Sequence, residues 1–323
     1  MTPARLTCLL ALAAALSVPV ASHAQVDFAR STVKVIVPFA PGGAPDIVAR
    51  LLSQKVGENL GREIVVENRV GAGGNIGFMA GLKAPPDGQT ILMCTFGCAT
   101  NPALFDKLGW QPSDIAPVML AGLVPNVLVI HPGVKARTTA EFIALAKSQP
   151  GKLTMASSGV GSASHLAGES FASMAGIQVT HVPYKGSTAA LPDIVGGRVD
   201  FMIVSVPEAL AFIRDGRLLA LGTTGTKRAS SLPEVPTMTE SALPGFSVTA
   251  WSMVVVPAAT PTAIVQRLNR EFNAALADPG VRKRLDDLSV EPGGGSPADA
   301  ARFLQTQATE WEQLIRARGI KAN

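Results

Sequence analysis

The sequence predicts an α/β chain of two lobes, each a mostly parallel sheet flanked by helices, with two crossovers between the lobes. Three observations carry this. Strand and helix signals alternate through most of the 323 residues, a pattern that covers parallel sheets with helices. A strand, a glycine turn and a helix start occur together twice, around Gly42-Gly43 and around Gly159-Val160-Gly161. Pro-rich joints, His131-Pro132-Gly133 and Leu243-Pro244-Gly245, flank a central block, after which strand and helix patterns resume. The spacing places one lobe at 25–127 plus 248–323 and the other at 128–247.

Residues 1–24 read as a secretory signal. Arg5 precedes an apolar run from Leu6 to Val20, and Ser22-His23-Ala24 fits a small-x-small cleavage site. The run is short for a membrane span, and no other stretch reaches the required length. Cleavage after Ala24 leaves a chain that begins at Gln25 and is long enough for two cored lobes.

The elements follow in order. Val33–Val37 is an apolar strand, and Ala44–Glu58 a helix with Pro45 and Asp46 in its first turn. Ile64–Glu67 and Thr90–Met93 are strands, and the glycine-rich Gly71–Gly77 is a turn that starts a helix near the cleft. It lacks the Lys-Ser/Thr ending of a phosphate loop. The run Asn126–Ile130 suits a strand buried on both faces. Thr138 or Thr139 caps a helix to Gln149, with Glu141 in its first turn. Leu153–Ala156, Val179–Val182, Phe201–Val204 and Leu218–Gly222 read as strands. Ala163–Ala175, Leu191–Val195 and Glu208–Arg214 are the helices between them. Val248–Val256 is β-rich, and helices run from Thr260-Pro261-Thr262 to Ala277 and from Pro297 to Arg318.

Both glycine turns present free N–H groups and a positive helix end, chemistry that suits a carboxylate or phosphate. The predicted ligand contacts of the first are Phe39, Ala40, Pro41, Gly42, Gly43 and Asp46. Asp46 is chiefly a capping and bracing residue, since its charge repels a carboxylate. The second supplies Ser157, Ser158, Gly161, Ser162 and His165, whose hydroxyls bind an anion without burying a formal charge. The serines equally cap the Ala163 helix, and His165 has a structural reading beside the ligand one. Lys185 and Gly186 open a further turn before a helix. Lys185 faces either a distal carboxylate or solvent, and Trp251 either stacks on ligand or is buried.

Composition excludes several classes. The balance of 28 Lys and Arg against 24 Asp and Glu is weakly basic without a dense cationic run, and aromatics are 5%. Nucleic-acid binding needs clustered cations and is not predicted. Cys94 and Cys98 form a disulfide or remain free, the small ring being geometrically demanding. No further Cys or His completes a metal set around them, so neither metal nor cofactor is predicted. No nucleophile elbow and no zinc-protease motif is present.

The order of several motifs resembles one family over essentially the whole chain after residue 24. These are Pro38-Phe39-Ala40-Pro41-Gly42-Gly43 with Asp46 and Arg50, Glu67-Asn68-Arg69, and Pro86-Asp87-Gly88-Gln89-Thr90. His181-Val182-Pro183-Tyr184-Lys185-Gly186, Val199-Asp200-Phe201-Met202 and Leu232-Pro233-Glu234-Val235-Pro236-Thr237 follow. The chain is similar to extracytoplasmic solute-binding proteins of the tripartite tricarboxylate transporter system, the Bug receptors. The resemblance implies a type II periplasmic-binding-protein fold, a periplasmic location and a monomer that captures a small organic carboxylate. It also implies delivery to the subunits of a membrane permease. Receptors of this kind hold the carboxylate with backbone groups of two loops and bridging waters.

Two departures bear on the solute. Where relatives often carry an acid after the Val-Asp-Phe-Met strand, this chain has Val204 and then Ser205, which puts a ligand amino group in doubt and leaves Ser205 as a predicted ligand contact. Where relatives show small polar residues, it reads Cys94-Thr95-Phe96-Gly97-Cys98, so Thr95 and Phe96 join the predicted site. Phe96 favours an aromatic acid or packs within the loop. Two other classes stay open: a receptor that signals to a membrane sensor, and an enzyme pairing Ser158 or Ser162 with His165.

Overall fold

The computed structural model describes residues 32–321; the predicted signal segment, 1–24, lies outside the described residues. The first sheet begins with β1 (Val33–Val37), flanked in parallel by β2 (Ile64–Asn68) and β3 (Thr90–Thr95). Between β1 and β2 runs α1 (Ala44–Leu60), with Pro45 in its first turn and Gly61 closing it in the left-handed conformation at φ 62°. After β2 a short 3-10 turn (Ala72–Gly74) leads into α2 (Asn75–Leu82). β3 is followed at once by α3 (Gly97–Leu104), whose first turn is tied to the strand by a Cys94–Cys98 disulfide.

The long strand β4 (Ile115–Ile130) passes through both sheets. Ile115–Pro125 pairs antiparallel with β9 (Thr249–Pro257), and Asn126–Ile130 pairs antiparallel with β7 (Phe201–Ser205). The second sheet continues from β7 to β5 (Thr154–Ser157) and β6 (Thr180–Pro183), both parallel, while β8 (Leu219–Thr223) lies on the other side of β4. Its helices are α4 (Thr139–Ser148), α5 (Ala163–Ala175), α6 (Ser187–Val195), α7 (Val206–Arg214) and the short α8 (Met238–Ser241). The chain then returns through β9 to α9 (Thr262–Ala277), α10 (Pro279–Asp287), β10 (Glu291–Gly294) and α11 (Pro297–Arg318). β10 pairs antiparallel with the first part of β4.

The two-lobed α/β fold is therefore present, with one correction to the sheets. They are mixed, because β4 runs from one sheet into the other and β9, after the return, lies antiparallel between β3 and β4 in the first sheet. A strand that runs on into a second sheet has no crossover helix to return it in parallel, so β4 pairs antiparallel with each of its neighbours. A second difference is the length of β4, predicted only from Asn126. Pro117, Gly122 and Pro125 argue against a strand before that point. The register with β9 shifts between Pro117 and Met119 and between Leu120 and Gly122, and these bulges accommodate the breakers. The helix α3 was masked in the same way by Gly97 and by Pro102 inside it.

Alternation along β4 and β7 buries both faces of the second sheet. Leu128, Ile130, Phe201 and Ile203 join one apolar cluster with Phe142 and Phe171, while Val127, Val129, Met202 and Val204 join another under α6 and α7. Where the strands cross between sheets, Asn126 is fastened to the return segment. Its Nδ2 donates to Val248 O at 3.1 Å, and its backbone N–H donates to Thr224 Oγ1 at 3.1 Å.

Candidate ligand-binding cleft

Four loops at the ends of strands meet over the crossing strands. The first follows β1. Gly42 adopts φ +80°, a turn that a residue with a Cβ resists, and Gly43 caps α1. Asp46 holds this turn from beneath and is almost fully buried. Its Oδ2 accepts from Gly42 N at 3.0 Å and Arg50 Nε at 2.9 Å, and its Oδ1 accepts from Asn68 Nδ2 at 2.8 Å. Burial pushes its carboxyl up, but the Arg50, Gly42 and Asn68 bonds outweigh that and hold it below the usual range.

The second loop follows β5. Ser162 caps α5 by accepting from His165 N at 3.3 Å and donates to Gly159 O at 2.6 Å. The Ser164 hydroxyl links Ser158 Oγ at 2.7 Å and Ser162 Oγ at 3.0 Å. Behind them Ser157 Oγ lies 2.6 Å from His181 Nε2, and the rings of His165 and His181 stack with centroids 4.2 Å apart. Burial, with a contribution from His181, drops His165 to about 4. No carboxylate is bonded to the other ring nitrogen of His181 among the described residues, so the Ser157–His181 pair lacks an orienting acid.

The third loop is Gly186-Ser187-Thr188 at the start of α6, and the fourth joins β7 to α7 through Ser205. Between the loops lies a cavity of about 70 Å³, whose wall also includes Val124, Asn126, Ala250, Trp251 and Ser252 from the crossing strands. A cavity of roughly 10–15 Å³ by this measure already holds one water, so this one takes a few waters or part of a small solute. Thr95 Oγ1 lies in this wall, buried and without a hydrogen-bond partner. Such a group costs stability unless something enters to satisfy it.

Of the predicted residues, the wall contains Phe39, Ala40, Gly43, Thr95, Phe96, Ser158, Ser162, Gly186 and Ser205. Pro41, Gly42, Asp46, Ser157, Gly161 and His165 stand outside it, and Lys185 is exposed and also outside it. Phe96 and Trp251 are each only 2% exposed. Phe96 stacks edge-on against Trp311 at 4.6 Å, and Trp251 donates to Gln307 Oε1 at 3.1 Å, so both rings are held from behind by α11.

The wall residue with the largest consequence was not predicted. Glu208, half-buried in the first turn of α7, accepts from Ala44 N at 2.6 Å and from the hydroxyls of Ser187 and Ser205. Burial pushes its carboxyl up, against those three bonds. Ser205-Val206-Pro207-Glu208 reads as an ordinary helix start, with the acid beside the positive end of its own helix, and that reading concealed it.

Against this geometry the comparisons are specific. The tripartite tricarboxylate transporter family receptor model matches residues 48–320. The chain belongs to this family. A UPF0065 protein from the tcbD-tcbE intergenic region of Pseudomonas sp. strain P51 is 41% identical over 290 residues, 89% of this chain and 86% of that protein. Protein BugT of Bordetella pertussis is 35% identical over 292 residues, 90% of each chain. The structure of R. palustris Rpa4515 with adipate aligns at a TM-score of 0.87 and 35% identity, covering 90% of this chain and 99% of that one. The family is one of periplasmic solute-binding receptors, which are not enzymes. No described helix of this receptor is long and apolar enough to cross a membrane.

Proposed function

We propose that this receptor captures a small carboxylate-bearing solute in the cleft between its two lobes and passes it to a membrane permease of the tripartite type. The observation that carries the reading is the unpartnered Thr95 hydroxyl, in a wall that Ser158, Ser162 and Ser164 share with the start of α1. These groups are donors without formal charge. They exchange hydrogen bonds with an anion and its waters at lower desolvation cost than buried cations. The adipate held by the R. palustris relative, itself a dicarboxylate, supports a carboxylate as the anchoring group and carries nothing on how many charges this chain accepts.

The lobes are 25–127 with 248–323, and 128–247, and the hinge lies where β4 and the return to β9 pass between sheets. Closure buries the solute, and only a solute that contacts the closed form better than the open one drives it. The chain acts in the periplasm as a monomer after cleavage near Ala24, and needs neither metal nor cofactor. Thermal unfolding against a panel of aliphatic and aromatic carboxylates tests the reading. A bound acid at 100 times its Kd adds about 2.7 kcal/mol. A protein already extracted of copurified solute and still unmoved by every acid would overturn it.

A further inference from the structure

The anion seat at the start of α1 is already taken. Glu208 Oε1 sits 2.6 Å from Ala44 N, the first amide of the helix whose N-terminal end the sequence reads as an anion site. A Cβ built on Gly43 would lie 3.5 Å from the same oxygen, so the carboxylate rests close against the turn. Glu208 is also the one ionisable side chain in the cavity wall among the described residues, and no Lys, Arg or His offsets it there. The hydroxyls of Ser158, Ser162 and Ser164 and the unpartnered Thr95 Oγ1 line the same cavity as donors without formal charge.

We propose that Glu208 selects the charge of the solute: the receptor takes acids with one ionised carboxylate, seated on the serine and Thr95 side, and rejects matching acids with two. The inference rests on the carboxylate-receptor reading above. A second carboxylate faces Glu208 across a small cavity of low dielectric, where like charges repel strongly. Phe39, Val124, Val204 and Trp251 give the same wall apolar surface that accepts an uncharged end. Glu208 also has a plain structural role as the first-turn acid of α7, but that role discriminates nothing between two solutes of equal length.

Half-esters separate charge from shape. Binding at pH 7.5 would be measured by calorimetry for straight-chain and benzenoid monocarboxylates, dicarboxylates and the monomethyl esters of those dicarboxylates. The native protein should bind the half-ester of its preferred length at least tenfold more tightly than the diacid, and Glu208→Gln should remove most of that preference. Glu208→Ser carries the same comparison if the first variant fails to fold. Diacids that bind the native protein as tightly as their half-esters would overturn the proposal, as would a preference unchanged in either variant. If no acid of any charge binds the native, ligand-stripped protein, the carboxylate-receptor reading itself falls, and the charge filter with it.

Discussion

His165 illustrates how a residue beside a binding loop acts without lining it. It accepts from Gly161 N at 3.2 Å through Nδ1, stacks on His181, and has Glu169 at 3.8 Å from Nε2. Burial keeps His165 neutral down to about 4 and lowers His181, while burial raises Glu169. The unfolded chain protonates His165 near its ordinary 6.5 and the folded chain resists, so the unfolded state binds more protons between these values. Stability is full above pH 6.5 and falls as pH drops toward 4. The loss from this one group amounts to about 2 kcal/mol by pH 5. Urea midpoints at pH 7 and pH 5 should show a smaller drop for His165→Gln than for the native chain, and an equal drop would assign the effect elsewhere. The same scale holds most of what the sequence concealed about the cleft. Ser158 and Ser162 were legible because a glycine turn before a helix is a local pattern. Glu208 was not, because its acceptor role depends on Ala44, 164 residues away.

At the scale of elements, the second sheet is held to α4 and α5 by aromatic rings. Phe142 of α4 is fully buried and meets Phe201 of β7 at 4.9 Å and Phe171 of α5 at 6.2 Å. Phe142→Ala should therefore cost about 3–5 kcal/mol, read as a lower urea midpoint with an unchanged slope. Helices with caps and an apolar stripe were legible to within a residue or two, among them α5 at Ala163–Ala175 and α11 at Pro297–Arg318. The elements that escaped carry breakers in their interiors. β4 contains Pro117 and Pro125, α3 contains Pro102, and α6 starts four residues earlier than predicted with Pro192 inside it. Local propensity opposes each, and pairing or packing overrides it.

At the scale of the molecule, closure should be governed by a few close approaches across the cleft. Thr100 Oγ1 donates to Gly161 O at 3.2 Å, and Ala44 meets Glu208. A Cβ on Gly73 would stand 2.8 Å from Val160 O, in a backbone conformation of φ +62°. Gly73→Ala should thus oppose the closed form and weaken binding of whichever acid stabilises the native protein by about tenfold, roughly 1.4 kcal/mol. Calorimetric affinities of the two proteins check this, and equal affinities would mean that Gly73 sets no limit on closure.

The sequence by itself determined the α/β class, the two glycine turns that start α1 and α5, and the family. These reside in residue spacing along one strand, turn or helix, where hydrophobic period and capping chemistry act over a few positions. Only the tertiary structure decided that β4 threads both sheets, that Phe96 packs against Trp311 of α11, and that Glu208 fills the seat at α1. Each depends on partners distant in the chain, and the free energy that places them comes from burial and hydrogen bonding formed only on folding.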